Sequence, residues 1–362
     1  MTFLFALSLL AMPFQDVASS ARPTTAPPAE LSVLAFNILT SGHPPGPDAA
    51  CELYRVSRQE RIAQIIIEVN PDVVLMQEAH SAQPIHDMLR EHDPEWRMQG
   101  GGDRGQMILA RHELQYRSPN SANVSTPLGP VVVHNVHWEP YPYGPYEIQK
   151  RLIDGAPFTV EGILEVSDKG EVYAKTYLDV HPALSEGVPV VVGGDFNEPS
   201  HLDWSREYLD DGPDRWVGNP IGTPLKAIIP WKGSRLLTDP AAFSSELGQD
   251  EAASYPALVD TYRAIRPDVL RHPGNTWTPG YAPETVDRRP YRSSPAVDRG
   301  EVEPAAVLDR IDIIYASSDL VPVRVEVLGD SVSPSTDRPL DPWPSDHRAV
   351  LAVYTRDFGD VD

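Results

Sequence analysis

Short apolar runs that stop on a polar side chain recur along this chain, and they restrict its architecture more than any other feature. They are Leu31 to Asn37, Asp72 to Glu78, Gln106 to Arg111, Val131 to His137, Val188 to Asp195, Val307 to Tyr315, Val321 to Leu328 and Ala349 to Tyr354. Such runs read as buried strands. Helical spacing falls between several of them. The clearest case is Val56, Ile62, Ile65, Ile66 and Val69, which leads up to Asn70-Pro71, a plausible stop. Further helices are expected within Ile148 to Leu164, where Gly155 and Pro157 interrupt the run, within Val172 to His181 and within Pro256 to Arg266. Strands alternate with helices early and cluster with each other late, which favours an α/β sandwich over a helical bundle. Asp210 to Ser254 and Tyr281 to Pro304, rich in Pro, Gly, Asp and Ser, read as long loops. The second carries Arg288, Arg289, Arg292 and Arg299, which either meet an anionic group or belong to a solvated loop.

A chain of 362 residues with 41% hydrophobic content can bury a substantial core. Its start differs from the rest. An apolar run from Phe3 to Phe14 precedes small residues at Ala18, Ser19, Ser20 and Ala21, then a Pro-rich stretch from Arg22 to Glu30. The expectation is a secretory signal peptide over 1–21, a linker over 22–30 and one folded domain over 31–358, in a secreted or extracytoplasmic protein. A buried N-terminal helix is the competing reading, because no Lys or Arg precedes the apolar run. No later stretch approaches the ~18 uninterrupted apolar residues of a membrane span, so no transmembrane segment is expected. Cys51 is the only cysteine, which excludes an intramolecular disulfide and a zinc site built from several cysteines. A net charge of −22 opposes non-specific binding to a polyanion, so nucleic acid is a possible but not a favoured partner. No protein partner is predicted.

The chemistry gathers where the strands end. Val190 to Asn197 is an apolar strand that stops in Gly193-Gly194-Asp195-Phe196-Asn197. Side chains two apart on an extended backbone share a side, so Asp195 can take a proton or approach a metal while Asn197 hydrogen-bonds the same phosphate or water. Gly-Gly-Asp and Asn are also turn formers, which leaves an ordinary turn as the alternative. Pro344-Ser345-Asp346-His347 enters the last strand and sets a hard oxygen ligand beside a group that titrates near neutrality. Asn37 and Glu78 close the first two strands, and with Asp346 they make an oxygen-only site suited to Mg²⁺ or Mn²⁺, with Ca²⁺ also possible. His137 stands at the end of its strand and is chosen over His134 for that reason. Asp309 and Asp312 both interrupt an apolar run, and a buried carboxylate needs a partner such as a histidine. Asp312, deeper in the run, is assigned that partnership, with Asp309 as the alternative. The aromatic segment from Trp138 to Tyr146 either stacks on a base, a sugar or a cation, or packs on the body of the protein.

Read in order, Asn37, Gln77-Glu78, His137, Gly194-Asp195-Phe196-Asn197, Arg310-Ile311-Asp312 and Ser345-Asp346-His347 resemble the endonuclease/exonuclease/phosphatase superfamily, the deoxyribonuclease I-like proteins. That superfamily includes AP endonucleases, inositol polyphosphate 5-phosphatases and neutral sphingomyelinases. The resemblance covers nearly all of 31–358 and implies a four-layer α/β sandwich with two central mixed sheets packed face to face. It implies metal ligation chiefly by Glu78 with Asn37 and Asp346 nearby, and water attack at phosphorus in line with the leaving oxygen. His347, oriented by Asp312, would be the base or a phosphate-positioning group, with Asp195 the rival base. Asn197 and His137 would stabilise charge on the phosphoryl oxygens. The chain departs from secreted deoxyribonuclease I in lacking paired cysteines, and its segments Glu198 to Trp204, Val259 to Arg263 and Pro273 to Pro279 look like those of a secreted or surface subgroup.

The expected function is therefore a secreted, metal-dependent phosphoesterase that acts on a small or lipid-linked phosphodiester or phosphomonoester. An extracellular nuclease is the second reading, and a catalytically silent protein that binds phosphate esters is the third.

Overall fold

The first expected strand is observed over Leu31–Asn37 (β1), and its side chains alternate between two interiors. Leu31, Val33 and Ala35 join one apolar cluster, while Leu34 and Phe36 join another. A strand dry on both faces belongs in the middle of a layered sandwich. The computed structural model describes residues 28–44, 56–216, 219, 221–248, 254–277, 307–331 and 333–357. The expected signal peptide, most of the linker and the arginines between 288 and 299 lie outside these residues.

The remaining strands are β2 (Val73–Gln77), β3 (Arg97–Gly100), β4 (Met107–Ala110), β5 (Leu114–Ser118), β6 (Ser121–Thr126), β7 (Gly129–His137), β8 (Val190–Asp195), β9 (Leu258–Asp260), β10 (Asp312–Ser317), β11 (Leu320–Gly329), β12 (Arg338–Pro339) and β13 (Ala349–Arg356). They form a seven-stranded sheet in the order β12-β11-β13-β1-β2-β4-β3 and a six-stranded sheet in the order β5-β6-β7-β8-β10-β9. Both are mixed: β1 runs parallel to β2, and β7 to β8, among antiparallel neighbours. The helices are α1 (Gln59–Val69), α2 (Gln83–His92), α3 (Gly144–Ile153), α4 (Val160–Ser167), α5 (Val172–Ser185), α6 (Arg206–Asp211), α7 (Lys232–Thr238), α8 (Ser244–Leu247) and α9 (Thr261–Ile265).

Three apolar interiors separate four layers. Between the sheets, Val33, Ala35, Val73 and Leu75 pack with Val131, Val133, Val191 and Ile314. On the outer face of the first sheet, Leu34, Phe36 and Met76 meet Ile62, Ile65 and Ile66 of α1 and Ile85 and Leu89 of α2. On the outer face of the second, Val132, Val190 and Val192 meet Tyr173 and Tyr177 of α5 and Leu236 and Leu237 of α7. The fold is the four-layer α/β sandwich expected. α1 stops where expected: Asn70 takes the left-handed conformation (φ 54°) and its N–H caps Ile66 O, and Pro71 cannot continue the helix.

Three expectations are revised. Val307 to Tyr315 is not one strand. Regular pairing starts only at Asp312, because Asp309 and Arg310 turn into buried polar networks, and Val307 and Asp309 make isolated bridges to Trp216 and Trp277. Asp210 to Ser254 is not a bare loop, since it carries α7, a 3-10 turn over Pro240–Phe243 and α8, and buries Trp231, Leu236 and Leu237. Within Pro256 to Arg266, the strand β9 precedes a single helical turn. Asp260 caps that turn by accepting Arg263 N–H at 3.1 Å, but the two side chains do not pair with each other. Arg263 Nε donates to Asp203 Oδ1 at 2.6 Å, and Arg310 bridges Asp203 and Asp260, so two arginines and two aspartates form one buried network.

Candidate active site

One rim of the sandwich collects the ends of β1, β2, β7 and β8 and the starts of β10 and β13. On the second sheet, His137 pairs laterally with Asp195, and Asp195 with Asp312, so three of the expected residues sit side by side. Gly194 makes this possible. At φ +141°, a Cβ there would lie 2.1 Å from Val136 O, so only glycine lets β8 press this close to β7. Below the rim the sheets are tied by a polar bridge that sequence reasoning missed. Asn135 Nδ2 donates to Met76 O and Met107 O at 2.8 Å each, and its Oδ1 accepts from Gln77 Nε2 at 2.7 Å.

Asp195 is buried and held from several directions. Asn197, in a left-handed conformation (φ 47°), donates its backbone N–H to Asp195 Oδ1 at 2.8 Å. Its Nδ2 donates to Asp195 Oδ2 at 3.2 Å and to Trp138 O at 3.0 Å. Both amide hydrogens are thus engaged within the protein, so Asn197 fixes Asp195 here. Asn37 Nδ2 donates to Asp195 Oδ2 at 3.0 Å and to Glu78 Oε1 at 3.3 Å, linking the two acids, while its own Oδ1 accepts from Leu39 N–H at 3.1 Å. Glu78 also has positive φ (54°), and Leu39, Thr40 and Ser41 form a left-handed run opposite it. That run delivers Thr40 N–H to Glu78 Oε2 at 2.7 Å. Consecutive left-handed residues without glycine are strained, and such strain concentrates at functional sites. Arg58 braces the same corner by donating to Leu39 O at 2.8 Å, His43 O at 2.6 Å and Pro344 O at 2.5 Å.

Two histidines flank Asp195. His137 Nε2 and His347 Nε2 each lie 3.8 Å from Asp195 Oδ2. His137 Nδ1–H donates to Arg104 O at 3.0 Å, which turns Nε2 toward the site. His134, three residues earlier, is buried away from it. His347 Nδ1 bonds Asp312 Oδ2 at 2.9 Å, and the Trp277 ring lies against the imidazole at 4.7 Å. Burial works against the His347 imidazolium, but Asp312 and Asp195 outweigh it and hold this histidine well above its ordinary range. Asp309 has other partners: it accepts from Tyr143 Oη–H at 2.6 Å, Trp204 Nε1–H at 3.0 Å and Arg215 Nη1–H at 3.2 Å. Asp312 is therefore the partner of the histidine, and the Asp309 alternative fails. Tyr143, from the aromatic segment, packs on the body through this bond, while Tyr141 stays exposed.

Asp346 is buried one residue before His347. Burial pushes its carboxyl up to about 6, with the imidazolium of His347 opposing and the charge of Glu78 adding to the rise. Two carboxylates that repel within one poorly solvated corner, with an amide beside them, fit a hard divalent cation. Asp195, Asp312 and His347 also bring ligand atoms within 4.8 Å of one another. Asp312 Oδ2 and His347 Nδ1 are spent on each other, while each Glu78 oxygen accepts one hydrogen bond, from Asn37 Nδ2 or Thr40 N–H, and keeps a second lone pair. A cleft of about 520 Å³ opens beside Glu78 and His137, its walls completed by Thr40, Ser41, His80, Asp103 and Arg104. Sequence reasoning passed over Thr40, Arg58, Arg104 and Trp277. Backbone donation, bracing and stacking leave no residue-type signature, although Trp277 stood in a noted segment.

Two mixed sheets with acids and histidines on a shared rim define the deoxyribonuclease I-like class. Residues 34–347 match the Endonuclease/Exonuclease/phosphatase family, and the chain belongs to it. Members of this family are phosphoester hydrolases, usually metal-dependent, and include phosphodiesterases and nucleases. An uncharacterized protein of Caenorhabditis elegans is 28% identical over 343 residues, covering 90% of this chain and 91% of the relative. Among solved structures, a family protein from Bacteroides thetaiotaomicron superposes with a TM-score of 0.49 at 16% identity, covering 92% of this chain and 100% of that one. Truncated TDP2 from Caenorhabditis elegans gives 0.45 at 16% identity, covering 90% and 98%.

Proposed function

We propose that the protein is an exported, divalent-metal-dependent phosphoesterase that hydrolyses a phosphodiester or phosphomonoester of a small or lipid-linked substrate. The observation that carries this reading is Asp195, held between His137 and His347 and joined through Asn37 to Glu78. Glu78 and Asp346, with Asn37 nearby, would hold the cation, and their oxygen donors suit Mg²⁺ or Mn²⁺. When bound, the cation supplies charge neutralisation at the phosphoryl oxygens.

The chain's own groups do the rest. Asp312 fixes the His347 ring through Nδ1, so that Nε2 faces the same space as Asp195 Oδ2; the Asp195 carboxylate takes the proton of the attacking water, and the His347 imidazolium positions the phosphoryl group. His137 aims Nε2 into that space from the other side, toward the phosphoryl oxygens. Asn197 keeps the Asp195 carboxylate from turning away. The apolar run from Phe3 to Phe14 supports export. Its test is the N-terminus of the mature protein, expected after residue 21.

The purified protein should hydrolyse bis(p-nitrophenyl) phosphate or p-nitrophenyl phosphate with Mg²⁺ or Mn²⁺, and should lose that activity on chelation and in Glu78→Ala. Absence of turnover on both esters, or full activity in the variant, overturns the reading.

A further inference from the structure

The cleft beside Glu78 and His137 has the volume of an ordinary small-molecule site, about 520 Å³. Its lining is not ordinary. Small-molecule pockets are mostly walled by aliphatic and aromatic side chains, whereas here, among the described residues, Thr40, Ser41, His80, Asp103 and Arg104 complete the walls. An acyl chain would meet no aliphatic wall, and a nucleobase no Trp, Tyr or Phe face to stack on. An anion would meet Arg104, and a hydroxyl would meet Asp103.

Arg104 is the cation of this wall, and it is fixed to the site. Its carbonyl accepts His137 Nδ1–H at 3.0 Å, so its position is coupled to that of the histidine. Its guanidinium pairs with Glu139, and the two side chains are 33% and 56% exposed. An exposed ion pair of this kind contributes little stability, so a better anion can displace Glu139. Phosphate is such an anion, because its oxygens match the guanidinium fork bidentately.

We propose that Arg104 is a specificity-determining residue that grips a second anionic group of the substrate, so that the cleft selects phosphate esters of hydroxylated compounds carrying a second phosphate. The Thr40 and Ser41 hydroxyls are spent on His43 O and Glu78 O, so Asp103 meets the hydroxyls between the two phosphates, and Glu139 competes for the guanidinium. The inference deepens the phosphoesterase reading and rests on it.

The test is calorimetric titration of the full chain, in excess Mg²⁺, with fructose 1,6-bisphosphate and with fructose 6-phosphate, alongside wild-type turnover of bis(p-nitrophenyl) phosphate and p-nitrophenyl phosphate. The wild type should bind the bisphosphate about tenfold or more tightly than the monophosphate, as a charge-assisted bidentate contact implies. Arg104→Gln should bring that ratio close to one, Arg104→Lys should keep part of it, and Glu139→Gln should raise it. Unchanged thermal midpoints would show that the variants fold. A wild-type ratio near one, undetectable binding of both sugars, or a ratio unaffected by Arg104→Gln overturns the proposal. Aryl ester turnover with no bisphosphate preference sinks the second-anion site alone. A preference with no turnover of either bis(p-nitrophenyl) phosphate or p-nitrophenyl phosphate sinks the phosphoesterase reading and leaves Arg104 as an anion-binding residue.

Discussion

Glu78 shows at the residue scale how this site trades stability for geometry. Its φ of 54° puts a side chain where L residues resist, and the gain is a carboxylate gripped by Thr40 N–H and Asn37 Nδ2. Glycine tolerates that backbone and alanine does not, so Glu78→Gly should be more stable than Glu78→Ala by about 1 kcal/mol. Denaturant titration would show it, and an equal stability of the two would mean that no strain is stored there. Neither variant should turn over phosphate esters. The two aspartates near β10 make a second contrast. Asp312→Asn removes the charge that holds His347 and should lower kcat by ~100-fold or more with a smaller effect on folding, because the histidine, unlike an arginine, can shed its proton. Asp309→Asn should do the reverse, because it leaves Arg215 buried beside a neutral amide. Loss of a buried ionic partner costs about 3–5 kcal/mol, with kcat retained at temperatures where the variant stays folded. Kinetics and thermal melts on the pair check the two roles.

At the scale of elements, what the sequence revealed and what it hid follow from burial. β1, β2, β7, β8 and β13 are dry on both faces, so each appears as a continuous apolar run whose ends lie close to those of the strand. β5, Leu114–Ser118, is an edge strand with exposed positions, while β9 and β12 span three and two residues, so none of these makes an apolar run. The apolar pattern starts before β10 because Asp309 and Arg310 are buried as polar network members among apolar neighbours. The candidate site is legible because its acids and histidines stand at the ends or just ahead of the starts of apolar strands. The cleft was not, since its walls come from loops. β7 also separates its two histidines by role. His134 is buried, and burial, aided by the charges of Arg117 and Lys175, pushes it down to about 4 from 6.5. An unfolded chain would protonate this ring first as the pH falls. Stability should therefore drop from about pH 6.5 and finish dropping near pH 4, a loss on the order of 3 kcal/mol from this ring. His134→Phe should show a shallower decline over that window in unfolding experiments. An identical decline would mean that the ring protonates freely in the folded state.

At the scale of the whole molecule, the charge balance decides which phosphate esters reach the rim. A net charge of −22 surrounds a site whose own floor holds Glu78, Asp195, Asp312 and Asp346. A small ester can carry its cation in with it and needs only a few local donors. Long DNA needs many Lys and Arg contacts along its backbone to displace condensed counterions. Supercoiled plasmid should therefore remain intact in Mg²⁺ over hours in which an aryl phosphodiester is consumed, at both low and moderate salt. Salt separates a true nuclease from an accidental one. A weak DNA activity at low salt that falls by a factor of ten or more on reaching about 0.2 M would reflect a few screened contacts to phosphates. Plasmid cleavage that keeps pace with ester hydrolysis at moderate salt would require a basic DNA track able to overcome the charge of the whole chain, and the small-ester reading would give way to the nuclease.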